Sequence, residues 1–179
     1  MENHTISKSQ KRLIRINAGL SRDLISPNAS FEQYNLFSSY INNRHITGGM
    51  TEMDYFEYSS MIEETRVESI LVEYRNKDKV LMGVCLTDIL DDGLSMVYSF
   101  YDSTLKKNSL GSYMILDHLE LSKEMKLNYV YLGYWVKGSP KMDYKAKFSG
   151  LELFANNKWN PLKKLNIKSG HKVLDVGCG

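Results

Sequence analysis

Apolar positions recur at helical spacing in three stretches of the chain and alternate with polar ones in four more. Phe31, Tyr34, Phe37, Ser38 and Ile41 fall on one side of a helix, which predicts a buried face. Ser30 stands three residues before Gln33, the spacing of a capping box, so this helix is expected to begin there and to run to about Arg44, stopping near Gly48–Gly49. Residues 51–62 predict a second helix with Thr51 as its cap, Asp54 in its first turn, and Met53, Phe56 and Ser60 on its inner side. The third helix covers 109–125, where Leu110, Met114, Leu121 and Met125 form a stripe that Ile115 and Leu119 widen.

Alternation predicts strands over 67–74, 80–90, 94–101 and 129–136. Lys77–Asp78 and Asp91–Asp92–Gly93 supply hairpin turns between the first three. Gly83, inside the second strand, marks a bulge or a close backbone approach. Both faces of 129–136 are largely apolar, so that strand is expected to be central. A helix between the third and fourth strands predicts a crossover to a parallel neighbour. The sum is an α+β domain with a mixed, mostly antiparallel sheet and flanking helices. The expected divisions are a basic flexible arm at 1–12, a core at 13–162 and a tail at 163–179; residues 13–29 show no clear period apart from a turn at Pro27–Asn28.

With 179 residues the chain is long enough to bury a real core. No apolar run approaches the roughly 18 residues of a membrane span, and the polar opening MENHTISKSQKR has no apolar signal core. Cys85 and Cys178 lack metal-type spacing, which fits reduced thiols and a cytoplasmic location. Charge is uneven: residues 52–92 hold eleven acids against four bases, and 137–179 hold nine lysines against three acids. A basic face of this kind suits nucleic acid, or is simply a solvated surface.

Six stretches change the picture when taken together: Arg44–His45 with Gly48–Gly49–Met50; residues 87–95, TDILDDGLS; residues 97–102, VYSFYD; residues 109–113, SLGSY; residues 131–135, YLGYW; and residues 138–145, GSPKMDYK. As a set they resemble the aminoacyl-tRNA–protein transferases of the N-end rule pathway, a branch of the GNAT-type acyltransferase fold, over residues 10–162. The YLGYW and KMDYK pair is more similar to the bacterial leucyl branch than to the eukaryotic arginyl one. The family's N-terminal cysteine-rich region is not among these residues, and Asp102 is followed by Ser103 where the family has proline. The resemblance implies transfer of an amino acid, leucine or alternatively arginine, from aminoacyl-tRNA to the α-amine of proteins beginning with Asp or Glu, marking them for degradation. It implies no cofactor, no metal, no membrane and no DNA.

An aminoacyl ester is already activated, so the protein need only align the amine and stabilise an oxyanion; no serine–histidine–acid or cysteine–histidine constellation is convincing in this chain. For an acidic acceptor residue the candidate cations are Arg44, Lys141 and Lys145, a guanidinium being suited to bidentate carboxylate binding. Lys106 and Lys107, with the helix start at Ser109 and Gly111, are candidates for the phosphates of the terminal CCA. Tyr131 and Tyr134 are candidates for stacking on its adenine, and Tyr98 for stacking or a catalytic hydroxyl; all three read equally well as core tyrosines. His45 is a candidate general base or a helix-end histidine. Asp92 is a candidate catalytic carboxylate or a turn residue, and Cys85 a small core residue.

The tail, LNIKSGHKVLDVGCG, resembles the first motif of S-adenosylmethionine-dependent methyltransferases. No helix and no second acid follow it in these residues, so no cofactor binding is expected. Two further readings remain open from sequence: a coenzyme A-dependent N-acyltransferase, against which the single Ser-Leu-Gly loop counts, and a non-catalytic fragment that binds tRNA or acidic N-termini.

Overall fold

The computed structural model describes residues 5–44, 49–140, 142–155, 157–162, 172–173 and 176–178. The elements in chain order are α1 (Lys8–Ile16), β1 (Ser21–Ile25), α2 (Phe31–Arg44), α3 (Tyr55–Glu63), β2 (Ser69–Arg75), β3 (Leu81–Ile89), β4 (Gly93–Tyr101), α4 (Leu110–Glu124), β5 (Tyr129–Tyr131), β6 (Trp135–Val136), β7 (Leu151–Ala155), β8 (Lys158–Pro161), β9 (Lys172–Val173) and β10 (Val176–Cys178). Eight strands form one sheet in the order β1-β2-β3-β4-β5-β10-β7-β8, and β6 pairs with β9 apart from it. Every pairing is antiparallel except β4 with β5. That pair is joined by α4, as the crossover rule requires.

α2 starts as its capping box predicts. The Ser30 N–H donates to Gln33 Oε1 at 2.9 Å, and the Gln33 N–H donates back to Ser30 Oγ at 3.2 Å. Phe37 and Ile41 are buried from it against Tyr58 and Ile62 of α3 and Phe100 of β4. Phe31 is 68% exposed and Phe56 79%, so the inner faces expected for those two residues are corrected. The cap of α3 is Asp54 rather than Thr51, because Asp54 forms a complete box with Glu57 while 49–52 make a separate 3₁₀ turn. The arm expected over 1–12 holds the first half of α1, which a Ser7–Gln10 capping box starts.

α4 lies between two packed clusters. Leu110, Met114 and Leu121 join the core of β2–β4 with α2 and α3. Ile115, Leu116 and Leu119 join a second core with Val130, Trp135 and Leu153. A buried polar network fixes the helix between them. The His118 Nδ1–H points at the Met114 carbonyl at 2.8 Å, and its Nε2 lies 2.9 Å from the Thr87 hydroxyl, so the neutral Nδ1–H tautomer satisfies both. Tyr74 donates to Asp117 at 2.9 Å, and Arg22 of β1 pairs with Asp117 and Glu124.

The strand expected over 129–136 is interrupted. β5 ends at Tyr131, and Gly133 takes a positive φ of 67° that turns the chain out of the sheet. The Lys145 ammonium donates to the Leu132 and Tyr134 carbonyls freed by that break. β4 therefore keeps β5 as a neighbour only at Gly93, Leu94 and Ser95; from Met96 to Tyr101 the two diverge. The tail's Val176–Cys178 runs as a strand between β5 and β7, antiparallel to both.

Candidate active site

A cleft of about 280 Å³ opens where β4 has parted from β5. Its floor is Tyr101 at the end of β4, and Arg44 from the last turn of α2 enters from one side. Ser109, Leu110 and Gly111 form a second wall at the start of α4, and Pro140 and Tyr144 close it from the chain that left β5. Ser109 has φ 44° and ψ 50°, a left-handed conformation that costs a serine roughly 1–2 kcal/mol. Among the described residues no side chain caps α4; the Ser112 and Tyr113 N–H groups donate to the Ser109 carbonyl at 2.9 and 3.1 Å, which leaves those of Leu110 and Gly111 to whatever enters the cleft. The loop before it is held by Asp102, whose Oδ1 accepts from the Thr104 N–H at 2.9 Å and the Thr104 hydroxyl at 2.6 Å.

Arg44 is firmly placed. Its Nη1 donates to Tyr101 Oη, and its guanidinium lies over the Tyr101 ring at 5.6 Å and the Tyr40 ring at 5.9 Å. Burial raises the Tyr40 phenol and pushes that of Tyr144 up to about 12, opposed in both by the Arg44 charge. Both are thus neutral hydroxyls at physiological pH, able to donate hydrogen bonds but not to act as bases.

The cleft runs into a groove of about 1000 Å³, sharing Lys106, Ser109, Ser112 and Tyr144 with it. The groove carries Lys8 and Arg12 from α1, Lys106 and Lys107 from the loop and Lys147 from the chain after Tyr144; among the described residues it has no carboxylate. Two basic segments nearly a hundred residues apart in sequence thus become one surface.

Of the residues singled out from sequence, Arg44, Lys106, Ser109 and Gly111 meet at the cleft, with Lys107 in the adjoining groove. His45 and Lys141 lie outside the described residues. Lys145 is engaged with the Leu132 and Tyr134 carbonyls, and Tyr134 is 61% exposed on the outward break. Tyr98 packs against Phe37 at 6.1 Å, its phenol raised by burial. Tyr131 donates to Asp92 at 2.9 Å at the other end of β4, and the six steps along the strand from Ser95 to Tyr101 span roughly 20 Å. The arrangement therefore separates Asp92 and Tyr131 from the cleft. Tyr40, Tyr101 and Tyr144 were missed, since aromatic residues in helices and strands read as core; the signal was Gly83 and Gly111, both of which press on Tyr101. Among the described residues no group of three or more His, Cys, Asp or Glu is placed to hold a metal, and no helix is long and apolar enough to cross a membrane.

The architecture matches solved GNAT-type enzymes at low sequence identity. A putative acyl-CoA N-acyltransferase from Klebsiella pneumoniae superposes with a TM-score of 0.54 at 12% identity, covering 90% of this chain and 98% of that one. The ribosomal-protein-S18-alanine N-acetyltransferase of Escherichia coli gives 0.55 at 8% identity, covering 88% and 93%. These establish the GNAT fold. Sequence relatives are much nearer. The aspartate/glutamate leucyltransferase of Dinoroseobacter shibae is 54% identical over 168 residues, with 88% of this chain and 59% of the relative covered. That of Ruegeria pomeroyi is 56% identical over 157 residues, covering 87% and 58%. The chain thus spans a little under three-fifths of the length of these curated relatives. Residues 32–155, which carry Arg44, the Tyr101–Gly111 corner and Tyr144, match the family described as arginine-tRNA-protein transferase, C terminus, and the chain belongs to that family.

Proposed function

We propose that this chain transfers an amino acid from aminoacyl-tRNA to the α-amine of a protein beginning with Asp or Glu, with leucine as the amino acid carried. One observation supports this above the others: a small cleft holding a fixed arginine joins a larger groove lined by five cations and, among the described residues, no acid. A groove of that charge suits a phosphodiester backbone, and a cleft of that size at its end suits the aminoacylated terminus. Arg44 offers its remaining donors to the acceptor's acidic side chain. The α-amine attacks the ester carbonyl, the oxyanion gains the open N–H groups at the start of α4, and the terminal ribose hydroxyl leaves with a proton while the amine loses one. The choice of leucine rests on the names of the relatives. A cytoplasmic setting follows from a tRNA substrate. A coenzyme A donor is a weaker reading, because a groove with five cations exceeds what one pyrophosphate needs.

The donor half of this proposal is tested by titrating leucyl-tRNA at increasing salt. Five contacting cations predict a log–log slope of about −3.5 to −4.5. The double reversal Lys106→Glu, Lys107→Glu is expected to weaken binding by tenfold or more and to flatten the slope by about 1–2. A slope near zero, or equal affinity for the double variant, would contradict the groove's role.

A further inference from the structure

Tyr101 is enclosed from two elements that each carry a glycine at the point of contact. A Cβ on Gly111 of α4 would lie 3.0 Å from Tyr101 Oη and 3.1 Å from its Cε1, and a Cβ on Gly83 of β3 would lie 3.3 Å from Tyr101 Cβ. Either is tighter than ordinary van der Waals contact, so the helix start leaves room for the end of this ring and the strand leaves room for the Cβ that carries it. Tyr101 is 9% exposed, and its hydroxyl accepts from Arg44. Tyr40 meets the same ring at 5.0 Å and a 59° tilt, completing a two-walled seat for the guanidinium. A free arginine side chain has many rotamers; this one is tied at one nitrogen and lies within 6 Å of the centroids of two rings.

We propose that Tyr101 is a positioning residue for acceptor selectivity: it aims the Arg44 guanidinium into the cleft, and Gly83 and Gly111 exist to seat it. This rests on the reading of Arg44 as the group that binds the acceptor's carboxylate. An arginine held this way discriminates charge without reorganising, since the ordering of its side chain precedes binding. Removing the hydroxyl leaves the ring and the positive charge in place but frees the guanidinium to turn, so selectivity should fall while the fold persists.

The test uses the full chain and two hexapeptides identical except for Asp or Asn at the first position, with dissociation constants measured by calorimetry. The wild-type chain is expected to prefer the Asp peptide. Arg44→Ala should abolish the preference. Tyr101→Phe should reduce it roughly tenfold, the effect of one charge-assisted hydrogen bond, with an unchanged melting temperature. Gly111→Ala should lower the Asp-over-Asn preference in the same direction, by displacing the ring from a different element, and decides the matter if Tyr101→Phe fails to fold. No preference in the wild-type chain, or a preference that survives Arg44→Ala, would overturn the reading of Arg44 and this inference with it. A preference lost in Arg44→Ala but intact in both Tyr101→Phe and Gly111→Ala would overturn the role of Tyr101 alone.

Discussion

Replacing Gly93 by alanine is expected to lower the stability of the chain by about 3 kcal/mol, the upper part of the range for inserting a methyl group where no space exists. A Cβ at this position would lie 2.6 Å from the Tyr129 carbonyl oxygen and 2.9 Å from Tyr129 Cβ. The obstruction is backbone, which does not swing aside as a flexible side chain does. Tyr129 is also held in place, because its N–H and that of Asn128 both donate to the Asp92 carbonyl, at 3.1 and 2.9 Å. Relief therefore requires β4 and β5 to separate at Gly93↔Tyr129, the first of the three positions at which they pair. Those three positions are the root of the divergence that makes the cleft, so the same substitution should lower transfer as well as stability. Urea unfolding followed by circular dichroism would show a lower midpoint with an unchanged slope. A change within about 0.5 kcal/mol, the usual size for a neutral surface site, would mean that the strands do not approach this closely.

Mild acid is expected to destabilise the fold by a comparable amount through His118. The imidazole is completely buried, and desolvation lowers its pKa to about 4 from an ordinary 6.5. The unfolded chain then takes up a proton that the folded one refuses. Stability is complete above about pH 6.5 and falls as the pH drops towards 4, by about 3 kcal/mol over the 2.5 units, at 1.36 kcal/mol per unit. The groups facing the ring are the Thr87 hydroxyl, the Met114 carbonyl and the Tyr74 phenol, which is itself bound to Asp117. Burial raises Asp117 despite Arg22 and Tyr74, so that carboxyl takes up its proton more readily when folded and offsets part of the loss. Thermal melts from pH 7.5 to 4 should show the drop. A His118→Gln variant should be less stable at neutral pH yet lose less on acidification. An equal acid slope in the variant would remove His118 as the cause. Because α4 is held by this network and its first turn walls the cleft, weakening at low pH should reach the site before the sheet.

Much of the framework was legible because its determinants are local. The Ser30–Gln33 box, the Asp92–Gly93 turn and the alternation of β4 each lie within a few residues, and the structure places α2, the hairpin and β4 where they indicate. α1 was missed although Ser7 and Gln10 announce it, because its polar sequence buries little: among its nine residues Gln10 alone is buried. The break after β5 was invisible for the opposite reason. The carbonyls it frees are held by Lys145, eleven and thirteen residues away, and no window of alternation contains that contact. Phe31 and Phe56 show that periodicity assigns a residue to a side of a helix but not to a depth. At the site, sequence identified cations and the helix start at Ser109–Gly111 because charge and glycine stand out against an apolar strand. It could not separate the tyrosines. Tyr98, Tyr101 and Tyr131 look alike in a strand, yet one packs against Phe37, one seats Arg44 and one binds Asp92 at the far end of the sheet.

Transfer itself is the decisive assay for this chain. The chain would be incubated with leucyl-tRNA and peptides beginning with Asp, Glu or Ala, and the products weighed by mass spectrometry. The expected result is a mass increase of one leucine on the Asp and Glu peptides, none on the Ala peptide, and none on any peptide with Arg44→Ala. Leucine added equally to all three peptides, or no addition to any of them by chain shown to be folded and to bind the tRNA, would contradict it.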